Sequence, residues 1–272
     1  MASDLHRALG RTGVETSRLG LGGHTYMSEY GGMSVAKRGE LLEIVELAVA
    51  EGINLFDVTY DEERQTLSSL LSELGLWEKV FVTCWMERTK TLSSAELTAE
   101  AERALSLLGR EHIDLLYLDL TCSVEQLETM VALRDRGLCR FIGLLGLNIA
   151  RESDLSELDV LLLKHNFYLR GDESDIKAIR KENPHLGIIS LEPLGRGRFA
   201  LMNHASPGIS IAAACLKYTM SFPQTDAVLV SVRRLVHLQE NIRLWKEGLP
   251  VSEAERKALE AGSGYETDWP DA

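Results

Sequence analysis

The chain changes hydrophobic period again and again, and this alternation limits what it can fold into. Short apolar runs read as strands: LGLGG at 19–23, INLFDV at 53–58, KVFVTCW at 79–85 and IDLLYLD at 113–119, then 140–145, 159–167, 187–191 and 226–231. Between them lie stretches of helical period, at 35–51, 62–74, 93–108, 123–137, from about 151, 173–182, 208–221 and 235–246. The first places Leu41, Ile44, Val45 and Ala48 on one face and stops at Gly52. Ser93 with Glu96 and Ser123 with Gln126 form capping boxes, and a final capped helix runs over 252–262. Apolar strands separated by amphipathic helices imply a parallel sheet covered on both faces. Eight strand–helix pairs in 272 residues favour a closed (β/α)8 TIM barrel of the α/β class. Residues 5–20 read as a β-hairpin ahead of it. No linker or low-complexity stretch divides the chain, so 1–272 is expected to be one domain, with an acidic, mobile tail at 263–272.

Charge narrows the partners. Lys and Arg number 29 against 41 Asp and Glu, a formal charge of −12. Such a surface repels phosphate backbones, so nucleic acid and anionic membrane are excluded as expected partners, and a small-molecule substrate is favoured. No stretch approaches the ~18 apolar residues of a membrane helix. Residues 1–13 lack an apolar signal-peptide core, and Cys84, Cys122, Cys139 and Cys215 form no CxxC pair. These features together predict a cytoplasmic protein with reduced thiols.

In such barrels chemistry sits where strands end and βα loops begin. That rule selects His24, Tyr26, Asp57, Tyr60, Cys84, Trp85, Glu87, Asp119, Lys164, His165, Asn166, Glu192, Ser231 and Arg233. Lys164 follows Leu162 by two residues and shares its inward parity, whereas His165 points the other way and is expected to pack in the core. A buried lysine serves either as a base or nucleophile, or as the ion-pair partner of Asp57, Asp119 or Glu192. No H-x-H or H-E-x-x-H spacing supports a metal site.

Six ordered segments resemble the aldo-keto reductase family. LGRTGVETSRLGLGG is similar to its N-terminal hairpin and first strand, and AVAEGINLFD to its A-x-x-x-G-[IV]-N-x-[FI]-D signature. REHIDLLYLD resembles the segment that normally ends in His, and RGLCRFIG the G-x-[IV]-R-x-[IV]-G pattern. EPLGRGRF and SVRRLVHLQEN resemble the late P-L-G-x-G and phosphate-binding segments. The resemblance implies a barrel that binds NADP(H) without a Rossmann motif and reduces carbonyls, so GLGG is no dinucleotide fingerprint. It also implies a catalytic set of Asp, Tyr, Lys and His, which is broken here. Asp57 is kept. Tyr60, with Arg64, Leu67 and Leu71, fits the tyrosine's downstream register after a two-residue deletion. Trp85 stands at the lysine position and Asp119 at the histidine.

Hydride reduction needs a tyrosine acidified by a neighbouring ammonium. A neutral indole and a second carboxylate reverse that charge, and Asp57 and Asp119 would raise one another's pKa. The family's Ser-Asn, Gln and stacking aromatic for the nicotinamide align with Leu145-Gly146, Leu162 and Leu191. Only a remnant phosphate site, from Ser231, Arg233, Arg234 and Asn241, keeps polar character. The expectation is therefore a small-molecule enzyme of lyase, dehydratase or isomerase type, with Asp57, Tyr60, Asp119 and Lys164 as its catalytic residues and no cofactor. The alternatives are an NADP(H)-dependent carbonyl oxidoreductase rebuilt from other residues such as Lys90, and a non-catalytic ligand-binding member.

Overall fold

The computed structural model describes residues 5–30, 33–34, 36–86, 92–119, 123–146, 155–195 and 208–261. Eight parallel strands close into a barrel: β3 (Leu19–Leu21), β6 (Leu55–Val58), β7 (Phe81–Met86), β8 (Ile113–Asp119), β9 (Cys139–Leu145), β10 (Val160–Lys164), β11 (Gly187–Leu191) and β12 (Ala227–Val230), which returns to β3. Two short antiparallel pairs lie outside it: β1 (His6–Ala8) with β2 (Glu15–Ser17), and β4 (Glu29–Tyr30) with β5 (Met33–Ser34). The described helices are α1 (Arg38–Ala50), α2 (Asp61–Leu74), α3 (Ser94–Leu108), α4 (Val124–Asp135), α5 (Glu173–Glu182), α6 (Ile211–Ser221), α7 (Leu235–Glu247) and α8 (Glu253–Ala261).

Local chemistry explains the boundaries. Ser93 and Ser123 accept the backbone N–H of Glu96 and Gln126, so both capping boxes form. Gly75 and Gly109 end α2 and α3 in the left-handed conformation. Two expectations change. The helix expected from about 151 starts outside the described residues, and its described remainder, 155–158, is not helical. The strand expected to reach 167 stops at Lys164, because the Asn166 side chain accepts the N–H groups of Tyr168 and Leu169 and turns the chain. Lys90, Cys122 and the tail from 263 lie outside the described residues.

Strand parity splits the core into two shells. Leu55, Phe81, Leu115, Tyr117, Leu145, Val160, Leu162, Ile189 and Leu229 form one cluster and fill the barrel interior, with Trp85 against it. The alternate residues, such as Val82, Cys84, Leu116 and Leu161, pack outward on the helices. The hairpin closes the N-terminal end. Leu9 is fully buried in the interior cluster, and Arg11 N–H donates to the His185 carbonyl at 2.7 Å. Interior side chains thus seal one end and leave the other, at the strands' C-terminal ends, for chemistry.

Candidate active site

Asp57 lies on β6 in register with Thr83 of β7, with the inward parity of Leu55. Its Oδ1 accepts the Thr83 hydroxyl at 2.5 Å and the Tyr117 hydroxyl at 3.0 Å. Tyr117 reaches it from β8, and its ring stacks on Trp85 at 6.2 Å and an interplanar angle of 5°. Burial pushes the Asp57 carboxyl up to about 7; nearby Glu63 adds to the rise, and the two hydroxyls and His24 oppose it. Glu63 comes near Asp57 because α2 follows β6 with only Thr59 and Tyr60 between and turns that carboxylate back toward the strand end.

Glu63 is fully buried. It accepts the N–H of Thr59 at 2.6 Å and of Tyr60 at 3.3 Å, and it bonds His24 Nδ1 at 2.7 Å. A side chain on Gly23 would place its Cβ 2.1 Å from Glu63 Oε2, so the glycine is what admits the carboxylate. Tyr60 caps α2, and its ring stacks on His24 at 5.9 Å and 12°. Tyr60 follows β6 with only Thr59 between. Tyr26, 1% exposed, lies within electrostatic reach of Asp57 and Glu63; burial first, then those two charges, lifts its phenol well above the usual value. Neither the Tyr26 hydroxyl nor Trp85 Nε1 has a hydrogen-bond partner among the described residues, although both are buried.

The other expected groups reach the same rim. Asp119 ends β8 with the inward parity of Leu115 and Tyr117, and Lys164 ends β10 with that of Val160 and Leu162; both are half-buried. Among the described residues, the cation beside Cys84 and the Trp85 carbonyl lies on the outer side of β7. Arg64, 2% exposed, donates to Glu100 at 2.7 Å, to Asp61 at 3.3 Å and to the Trp85 carbonyl at 3.2 Å. Cys84 also faces outward; burial raises its thiol to about 11 despite Arg64, which suits packing rather than nucleophilic attack. His165 packs against Phe222 at 4.5 Å, and burial lowers its pKa, as its core parity predicts.

At the remnant phosphate end an internal anion is already in place. Glu40 of α1 accepts Arg234 Nε at 2.9 Å and the Leu235 backbone N–H at 2.9 Å, at the first turn of α7. Those two donors hold its carboxyl below the usual range. Ser231 packs on the first βα turn: a Cβ on Gly22 would fall 2.6 Å from its Oγ. Arg233 and Asn241 occupy the same βα segment, Asn241 half-buried in α7.

Sequence reasoning missed Glu63 and Glu40. Glu63 reads as one of three acidic residues opening a helix, and Glu40 as another. The signals that pointed to Glu63 were the short loop before it and the Gly-His pair after β3.

A family model for the aldo/keto reductases matches residues 18–207. Among solved structures, PA4992 from Pseudomonas aeruginosa, assigned to the aldo-keto reductases, superposes with a TM-score of 0.74 at 22% identity, covering 91% of this chain and 96% of that one. The aldo-keto reductase AKR11C1 from Bacillus halodurans, in its holo form, gives 0.73 at 16% identity, covering 94% and 95%. No curated protein matches the chain.

Proposed function

The chain belongs to the aldo/keto reductase family, and on that premise we propose that it is a small-molecule enzyme that moves protons rather than hydride. The observation that carries this reading is the environment of Asp57. In a hydride-transfer site of this family an ammonium stands beside the carboxylate. Trp85 aligns with that position, and among the described residues Asp57 Oδ1 is held by the neutral hydroxyls of Thr83 and Tyr117. A buried carboxyl held by neutral hydroxyls is raised toward neutrality, where a general base or acid works best. Asp57 and Tyr60 are the proposed proton-transfer groups, with Asp119 and Lys164 facing the substrate from the ends of β8 and β10 on the same rim. The buried, unpartnered Tyr26 hydroxyl and Trp85 indole supply donors for a polar ligand.

Among the described residues, those aligned with the family's cofactor contacts do not suit NADP(H). Leu145 and Leu162, at the nicotinamide-contact positions, are buried in the apolar interior cluster. At the phosphate end the Glu40 carboxylate holds Arg234 and the Leu235 N–H, where a phosphate would need both. A second anion there would meet like-charge repulsion.

The test is deuterium exchange in D2O, followed by proton NMR, on hydroxyacetone, dihydroxyacetone and 2-oxobutyrate without nicotinamide. Exchange catalysed by the wild type should fall about 10²–10⁴-fold in Asp57→Asn. No wild-type exchange on any of the three compounds would overturn the reading, and sub-micromolar NADPH binding in calorimetry with NADPH-dependent aldehyde reduction would then establish a rebuilt reductase.

A further inference from the structure

The His24–Glu63 pair lies beside Asp57 and outside the family's catalytic positions. Its construction is specific. Glu63 is a fully buried carboxylate, fixed by two backbone N–H groups at the start of α2, and the Gly23 backbone passes too close for any side chain. That carboxylate bonds one nitrogen of an imidazole whose side chain is 31% exposed. The imidazole lies flat against the Tyr60 ring. A buried carboxylate on Nδ1 sets the neutral ring's tautomer, with the proton on Nδ1 and the lone pair on Nε2. Among the described residues, the groups near the ring include Glu63 and Tyr60 at the start of α2 and Asp57 on β6, with Tyr26 of its own turn within reach of the same carboxylates.

We infer that His24 is a general acid–base residue of this site, with Glu63 as its positioning residue, acting on small carbonyl or hydroxycarbonyl compounds. The inference rests on the proton-transfer reading above. In the step assigned to it, Nε2 takes a proton from a carbon next to a carbonyl. The C–H electron pair stays on the substrate as the enolate. The imidazolium then returns a proton to carbon or oxygen, or a deuteron in D2O. Asp57 and Tyr60 flank the same rim and serve the carbonyl oxygen, so proton loss and oxygen protonation fall to different groups.

Two measurements test it. Nitrogen-15 NMR of the wild type should find the neutral His24 ring protonated on Nδ1; an Nε2–H tautomer overturns the inference without any variant. The exchange assay with the same three compounds is then run on His24→Gln, with His24→Asn as a second variant should the first not fold, and on Glu63→Gln. Exchange should fall about 10²–10⁴-fold in the His24 variant. The loss in Glu63→Gln should be smaller and accompanied by a mixed tautomer, which a purely structural cap would not produce. If wild-type exchange is lost in Asp57→Asn but kept in His24→Gln, the inference falls and the proton-transfer reading stands. If the wild type catalyses no exchange, the reading fails and the inference fails with it.

Discussion

Asp57 shows how one side chain's neighbours set its chemistry. Its carboxyl titrates at about 7 in the folded protein because burial disfavours the charge, against about 3.9 in an unfolded chain. A folded value above the unfolded one means that the protonated form favours folding. The stability Asp57 gives is therefore whole below about pH 4 and is lost as pH rises through about 7, by an amount on the order of 4 kcal/mol. Asp57→Asn keeps an acceptor for Thr83 and Tyr117 and cannot ionise. Urea unfolding should find the variant close to wild type at pH 4 and more stable by a few kcal/mol at pH 8. A variant less stable than wild type at pH 8 contradicts the burial argument. The two hydroxyls act in the opposite direction, since both favour the carboxylate. Thr83→Val or Tyr117→Phe should therefore raise the Asp57 titration in carbon-13 NMR, and a fall would show that the hydroxyls do not stabilise the anion.

At the scale of elements, turns and caps do work that the apolar pattern does not. Gly10 and Gly13 flank one short 3-10 turn, both with positive φ, at 53° and 70°. They differ in what surrounds them. A Cβ on Gly13 meets nothing within 4 Å, whereas one on Gly10 falls 2.2 Å from the Gly187 backbone nitrogen. Gly13→Ala should cost only the left-handed strain, about 1–2 kcal/mol. Gly10→Ala adds a backbone collision where the hairpin plugs the barrel, so its melting temperature should drop well below that of Gly13→Ala. Equal melting temperatures would mean that the plug shifts freely on the barrel floor.

Across the whole molecule, carboxylates play opposite parts at the two ends of the barrel. At the N-terminal ends of alternate strands one polar side chain accepts a backbone N–H of the neighbouring strand or its lead-in: Asn54 takes Ser17, Asp114 takes Val82, Asp159 takes Ile142 and Asp226 takes Ile188. The three carboxylates also hold arginines, namely Arg140, Arg11 and Arg180. This is the end that hairpin and carboxylates staple shut. At the C-terminal end Asp57 has hydroxyls for partners. The same Asp-to-Asn substitution should thus have opposite signs. Asp226→Asn leaves Arg180 without its anion and should cost about 2–3 kcal/mol at pH 8, discounted because Arg180 is partly exposed. Denaturant titrations of Asp57→Asn and Asp226→Asn at one pH compare the two ends directly; equal signs would refute the division.

The sequence by itself determined the architecture. Strand and helix periods, capping serines and terminating glycines are interactions within a few residues, so the eight-fold alternation was legible and the barrel followed from it. Parity was equally local, and it placed Lys164 inward and His165 outward. The environment of each charge was not local. Glu63 is three residues from Tyr60 in the chain, yet its burial depends on Gly23 and His24, which β3 carries to it across the β3–β6 contact. Glu40 meets Arg234 only because the barrel closes and brings α1 and α7 side by side. Sequence spacing carries the geometry of neighbours along a chain. Which carboxylate faces a hydroxyl, an imidazole or a guanidinium was decided by the tertiary structure, because electrostatic partners are set by distance in space and by the water that burial removes.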